Sequence, residues 1–216
     1  GVAKRMINFA TSMVGHWYGG LGLAGVLACA LFAAVSGSSP ATVVAIGSIL
    51  LPAMVKAGFP NKFGAGVIAT SGALGILIPP SIVMVMYSVA TNTSVGALFM
   101  AGVIPGLALA GVLGAVTWYR AKKFDYPRQP KATWGERWKA FRASVWGLLL
   151  IGVVMGGIYT GIFTPTEAAA MSAVYAFICA VFIYKDLGLK DVPKVLLNSA
   201  NMSAMLLYII TNAVLF

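Results

Sequence analysis

The sequence predicts an all-α, polytopic membrane protein with one re-entrant hairpin and one broken span. Three observations carry that expectation. Of 216 residues, 60% are hydrophobic and only 9% charged, against ~45–50% apolar and ~25% charged in soluble domains. The apolar residues form runs that allow five or six spans at ~20 residues each. The basic residues fall between those runs, in segments that lie on one side of a bilayer once the crossings are counted. A soluble globular domain, a disordered tail and a coiled coil are excluded. A net charge of +10 would suggest nucleic acid in a soluble protein. Here the clustered basic residues read as orientation signals, so the lipid bilayer is an expected partner and nucleic acid is not. Cys29 and Cys179 sit inside apolar runs and are expected to be buried thiols. The chain opens on Gly1 and stops at Phe216 within an apolar run, as expected of a piece of a longer protein; no signal peptide is legible.

Residues 1–19 read as an amphipathic helix lying in the interface plane. Met6, Phe9, Met13 and Trp17 form one stripe, with Arg5, Asn8, Ser12 and His16 on another face. A linker helix packed on protein is the alternative. Residues 20–60 contain two short apolar arms, Leu21–Val35 and Pro40–Val55, around Ser36-Gly37-Ser38-Ser39. Each arm reaches ~22–24 Å at ~1.5 Å per residue, short of the ~30 Å hydrocarbon core. A re-entrant hairpin fits those lengths better than two spans with a short loop. Residues 61–94 have the opposite problem, because Phe63–Thr93 exceeds one straight span. Its middle holds Gly72, Gly75, Pro79, Pro80 and Ser81. Paired prolines remove two donors and clash with the preceding turn, which predicts a span broken into two half-helices; a simple proline kink is the alternative.

The rest is more regular. Residues 95–119 read as one span. Residues 120–144 read as a basic inside connection with an interfacial helix anchored by Trp134, Trp138 and Phe141. Residues 145–198 hold two spans, Val145–Ile162 and Glu167–Tyr184, and a second inside connection. Residues 199–216 begin a further span. This layout puts all 15 Lys and Arg residues on one side and none on the other, as the positive-inside rule requires.

Enzyme hardware is missing from the sequence. His16 is the single histidine, and no His-x-x-x-His, paired-Cys, phosphate-loop or Ser/His/Asp arrangement occurs. The chain is not expected to be an ATP-driven pump or a hydrolase, nor to carry an organic cofactor. Chemistry is expected at the two interruptions. Ser39 can cap a helix opening on Pro40, whose free N–H groups and dipole would stabilise a carboxylate. The other arm ends near Val35 and Ser36. Its carbonyls, with the hydroxyls of Ser36, Ser38 and Ser39, suit a hard cation such as Na⁺. The broken span offers carbonyls near Gly72–Gly75 and a second start near Pro80-Ser81. Opposed half-helix ends of this kind are a mark of secondary transporters; serines that merely cap helices in a bundle are the other reading. Glu167 is the only acid within the apolar runs, so it is either a coupling residue or part of a Thr164–Glu167 capping box. The paucity of intramembrane acids favours sodium over protons as coupling ion.

Ser36–Thr42, Gly72–Ser81 and Gly161–Ala170 together resemble the large membrane subunit of tripartite ATP-independent periplasmic (TRAP) transporters, over essentially the whole chain. The resemblance implies a multi-pass bacterial inner-membrane symporter for organic acids, driven by sodium. It implies a small membrane subunit and a periplasmic substrate-binding protein as partners. It also implies an elevator, in which a transport domain (here 20–94) slides against a scaffold that includes the spans of 145–198. Carried over by residue, it places sodium at Ser36, Gly37, Ser38, Ser39, Gly72 and Gly75. Substrate would be bordered by Ser39, Pro40, Thr42, Pro79, Pro80 and Ser81. Gly19–Gly22 and the basic loop look most like the C4-dicarboxylate branch; sialic-acid carriers share much of the pattern, and a non-transporting scaffold is the reading from another class. The resemblance further implies that these residues are half of an inverted repeat. The second hairpin, the second broken helix and a second sodium site would then lie outside the chain, and the 216 residues alone would be inactive.

Overall fold

The structure, a computed structural model, describes residues 1–215, and all its regular elements are helical. They are α1 (Val2–Val14), α2 (Gly20–Ser36), α3 (Ser39–Lys56), α4 (Asn61–Gly72), a single turn α5 (Leu74–Leu77), α6 (Ile82–Thr91), α7 (Val95–Lys123), α8 (Trp134–Tyr159), α9 (Pro165–Ile178) and α10 (Val192–Leu215). Five helices among the described residues are long and apolar enough to cross a membrane. Taken as one span, α4–α5 with α6, a pair bent by 41°, would add a sixth by the same measure. The chain is therefore a polytopic helical membrane protein.

The residues divide into two compact units, Val2–Ser172 and a smaller one from Ala173 onward with Gly1. In the larger unit α2 is the hub, in contact with α1, α3, α4, α5 and α7. Its composition explains this. Ala24, Ala28, Cys29 and Ala33 are fully buried, and small side chains let neighbouring backbones approach where lipid offers no hydrophobic drive for helix pairing. Ile46, Leu50 and Met54 of α3, Ile68 of α4 and Phe59 complete the core around them. α2 ends at Gly37, whose φ of 62° is the left-handed C-cap conformation that glycine adopts without strain. α8 opens with a reciprocal capping box: the Glu136 N–H donates to Thr133 Oγ1 (3.3 Å), and the Thr133 N–H donates to Glu136 Oε2 (2.7 Å).

In the smaller unit the chain leaves α9 through a π-helical turn, Cys179–Ile183, closed by the Tyr184 N–H donating to the Cys179 carbonyl. It then enters α10 after a 3₁₀ turn at Leu189–Asp191. Both Cys29 and Cys179 are buried free thiols.

Four sequence expectations need correction. First, α1 is packed on protein: Met6, Ile7 and Ala10 are its buried residues, Ser144 Oγ of α8 donates to the Arg5 carbonyl (3.0 Å), and Met13 and Trp17 are exposed. The stripe fails because the helix stops at Val14, leaving His16 and Trp17 in a turn. Second, the Trp134–Phe141 face is no separate interfacial helix. It forms the first turns of α8, because nothing between Trp134 and Tyr159 breaks the helix. Third, the last helix starts at Val192, not near residue 199; Lys194, Asn198 and Asn201 are polar but helix-compatible, so hydropathy alone sees only its apolar part. Residue 216 lies outside the described residues. Fourth, α7 runs on to Lys123 and only 124–133 connect it to α8. That connection is held down: the Gln129 N–H donates to the Gly15 carbonyl (2.9 Å), and the Arg128 guanidinium lies 3.9 Å from the Tyr18 ring centre.

The packing predicts a contrast within α7. A Cβ at Gly102 would sit 2.7 Å from the Leu77 carbonyl oxygen and 2.3 Å from Met84 Cε, whereas one at Gly111 would touch nothing. Gly102→Ala should destabilise by about 1–3 kcal/mol through overpacking, and Gly111→Ala should be neutral or stabilising by helix propensity. Thermal unfolding of the detergent-solubilised full-length protein checks both; equal melting temperatures would contradict the packing.

Candidate functional site

The two interruptions meet. At the hairpin tip α2 gives way to Gly37 and Ser38, and α3 begins at Ser39, with Ser38 as N-cap and Pro40 at its second position. The helix thus starts one residue earlier than a Ser39 cap would have it. In the broken span, four non-helical residues, Ile78–Ser81, separate α5 from α6, and the Pro79–Pro80 bond is cis. This is a break, not a kink. The first half does not end at Gly72–Gly75 as the sequence suggested: after Ala73 the chain makes another helical turn to Leu77, with the Ile78 N–H donating to the Leu74 carbonyl (2.8 Å).

Tip and break are joined through backbone. The Ile82 N–H, first of α6, donates to the carbonyl of Gly37, the C-cap of α2, at 3.1 Å. A Cβ on Gly37 would stand 2.6 Å from the Pro80 carbonyl oxygen, and a Cβ on Gly75 would stand 2.8 Å from the Ser38 carbonyl and the Ser39 nitrogen. A Cβ on Gly72 would strike Val43 Cγ2 at 2.1 Å. Neither Gly72 nor Gly75 has a positive φ; what both provide is room for α4–α5 to lie directly against the tip.

The structure brings oxygen atoms together at this junction. Thr42 is fully buried, and its hydroxyl donates to the Ser38 carbonyl (2.8 Å). The Ser36 and Thr42 hydroxyl oxygens lie 3.0 Å apart, and the Ser38 N–H reaches Ser36 Oγ at 3.4 Å. Thr42 was expected beside the substrate but joins the hydroxyl cluster inside the tip. Ser39 and Pro40 sit on its outer side, half-buried and exposed respectively. Pro80 and Ser81 face Ser36 and Gly37 across a cavity of about 160 Å³, while Pro79 is buried. The Ser81 and Ser71 hydroxyls are buried without a hydrogen-bond partner among the described residues. Ser71 was missed in the sequence; its only signal there is its position beside Gly72.

The chemistry available follows from what is present. Residues 17–55 and 63–119 contain no Asp, Glu, Lys, Arg or His. No group of three His, Cys, Asp or Glu side chains suited to a metal ion exists among the described residues. A cation here would be held by carbonyl and hydroxyl oxygens, which fit Na⁺. An anion would be held by the unpaired N–H groups and positive ends of α3 and α6. Of the first-turn N–H groups, Ala41 in α3 and Val83 and Met84 in α6 have no intrahelical acceptor.

Glu167 stands apart from this junction in sequence. Its Oε2 accepts from the Thr164 N–H (2.8 Å) and hydroxyl (2.9 Å), and the Glu167 N–H donates back to Thr164 Oγ1 (3.3 Å). That is the complete capping box of α9.

Comparison with known proteins gives the setting. The model of the family "Tripartite ATP-independent periplasmic transporter, DctM component" matches residues 1–216. The chain is 74% identical over 230 residues to a C4-dicarboxylate TRAP transporter large permease protein of Rhodobacter capsulatus, covering 100% of this chain and 52% of that one. Its identity to the protein of the same description in Pseudomonas aeruginosa is 55% over 216 residues, again 100% of this chain and 51% of the other. A 2,3-diketo-L-gulonate TRAP transporter large permease protein of Escherichia coli is 37% identical over 99% of this chain and 50% of its own length. The chain spans about half the length of these relatives.

The junction makes a prediction of its own. Gly37→Ala adds a left-handed conformation costing about 1–2 kcal/mol and a clash with Pro80; Gly75→Ala adds a clash with backbone. Both should lower the melting temperature of the full-length protein, whereas Gly114→Ala, with open space around it, should not. Unaltered melting in the first two would mean that tip and break are not in contact.

Proposed function

The chain belongs to the DctM-component family of tripartite ATP-independent periplasmic transporters, and from that premise we propose that it supplies about half of the large membrane permease of a sodium-coupled C4-dicarboxylate carrier. The protein is multi-pass, sits in the bacterial inner membrane and is a transporter component, not an enzyme. The observation that carries the proposal is the backbone junction of tip and break in a stretch without charged side chains. Opposed helix ends offer carbonyl oxygen to a cation and amide N–H to an anion within one small region. The substrate class rests on the 74% and 55% identity to permeases described as C4-dicarboxylate proteins.

In this reading Ser36, Ser38 and Thr42 supply oxygens to sodium, with Ser39 at the edge of the same tip. Gly37, Gly72 and Gly75 act by close approach, holding those oxygens in place. The carboxylates of the substrate meet the starts of α3 and α6, bordered by Ser39, Pro40, Pro80 and Ser81, with Pro79 shaping the break from its buried position. Sodium completes the hydroxyl cluster and so favours the tip geometry that the carboxylate needs, which couples the two solutes without a titrating group. A small membrane subunit and a periplasmic binding protein complete the system, and the hairpin and broken span move as one body in an elevator cycle.

Uptake of labelled succinate by cells carrying the full-length permease with its partner proteins tests this. Removing the sodium gradient should abolish uptake; uptake that continues without sodium would reject the coupling. Thr42→Val keeps the side-chain shape and removes the oxygen. It should raise the sodium concentration for half-maximal uptake about tenfold, the equivalent of ~1.4 kcal/mol, and Thr42→Ser should restore most of it. Identical sodium titrations for Thr42→Val and parent would remove Thr42 from the site. Glu167→Gln should leave rate and sodium dependence unchanged, since a Gln side chain can still close the capping box; a shifted sodium dependence would make Glu167 a coupling residue.

A further inference from the structure

We propose that the groove between α4 and α7 is a binding site for an anionic phospholipid of the cytoplasmic leaflet. The groove has a volume of about 420 Å³ and lies outside the junction of tip and break. One wall carries Lys62, Gly66 and Thr70 of α4, spaced i, i+4 and i+8; the other carries Leu113, Val116 and Arg120 of α7, spaced i, i+3 and i+7. Phe63, next to Lys62, meets Tyr126, just beyond Arg120, with ring centres 4.7 Å apart, so the two basic residues share one end of the groove and Thr70 and Leu113 lie further along it. Over eight residues at ~1.5 Å each, the groove is about 12 Å long, which suits the upper part of an acyl chain.

Charge and shape both select the occupant. No acidic residue lies among the groove-lining residues, and neither Lys62 nor Arg120 forms an ion pair among the described residues. Arg120 is held near the Phe124 ring (5.7 Å), and its planar guanidinium can donate paired N–H groups to two oxygens of a phosphate. The Phe63 and Tyr126 rings, 4.7 Å apart, stiffen the basic end. Gly66 keeps the wall low: a Cβ there would touch nothing within 4 Å. By the distribution of positive charge this end faces the cytoplasm, where anionic lipids give the leaflet its negative potential. A phosphate at Lys62 and Arg120 with an acyl chain along Gly66 and Val116 satisfies every surface of the groove.

The site joins α4, the start of the broken span, to α7, which follows that span. A lipid seated there would stabilise one placement of these helices relative to each other, so lipid composition would modulate the protein whatever its substrate.

The test is native mass spectrometry of the full-length permease complex released from bilayers of phosphatidylglycerol and phosphatidylcholine. Retained phosphatidylglycerol should exceed retained phosphatidylcholine in the parent. Two charges at a membrane surface predict a loss of about 10- to 30-fold in phosphatidylglycerol retention for Lys62→Ala with Arg120→Ala. Lys62→Arg with Arg120→Lys should retain it. Gly66→Leu fills the acyl part without touching charge and should also reduce retention, whereas Lys190→Ala with Lys194→Ala, an equal charge loss elsewhere, should not. Melting temperatures identify variants that fail to fold. Equal loss in both double-alanine variants would reduce the effect to general surface charge and overturn the site. Unchanged retention in folded Lys62→Ala with Arg120→Ala would overturn it too, as would a groove filled by protein from another part of the complex.

Discussion

A backbone amide or carbonyl in hydrocarbon must find a partner within the protein, because no water is there to replace it and each orphan costs several kcal/mol. Helices meet that demand everywhere except at their ends. This chain has two sets of helix ends that cannot be placed in a loop of any length: the two-residue turn between α2 and α3, and the four residues between α5 and α6. The Gly37 carbonyl and the Ile82 amide satisfy one another, so each interruption is the partner of the other. What remains unpaired is a small set of amides on one side and oxygens on the other, and that remainder is where the proposed binding of sodium and substrate would take place.

Close approach of backbones is the price of such an arrangement. Gly37, Gly72 and Gly75 stand where any side chain would meet Pro80, Val43 or Ser38. Gly102 and Gly106 of α7 play the same part against Leu77, Met84 and Ile78 on the other face of the break. The α2 hub repeats the theme with alanine. Of the six buried hydroxyls among the described residues, those of Thr42, Ser71 and Ser81 lie beside or within the interruptions, next to half-buried Ser36. A bundle that only needed to be stable would have no reason to bury unpaired hydroxyls there.

Both interruptions were legible in the sequence because their causes are local. Gly37 can adopt the left-handed cap, Pro40 cannot continue the preceding helix, and Pro79-Pro80 removes consecutive donors. The Thr164–Glu167 capping box was legible for the same reason, and Thr133–Glu136 carries the same signature but was passed over in a charged loop. What depends on tertiary partners was not legible. Thr42 sits one turn into α3; its bond to the Ser38 carbonyl is local to the helix, but its approach to Ser36 depends on how the tip turns. The close packing at Gly72 and Gly75 was hidden because what packs against them, Val43 and Ser38, is remote in sequence. The buried face of α1 follows α2 and α8, not its own stripe. The early start of α10 was hidden because hydropathy marks lipid contact, whereas helix formation also tolerates Lys194 and Asn198.

The central claim is that these two sets of helix ends meet inside the bilayer. Electron cryomicroscopy of the full-length permease in lipid nanodiscs measures this directly. The account predicts density for Gly37 against Ile82, with the Ser36–Ser39 turn and the Ile78–Ser81 break both at mid-depth in the hydrocarbon. Continuous helices through either stretch, or a turn at Ser36–Ser39 reaching the lipid headgroups, would contradict it.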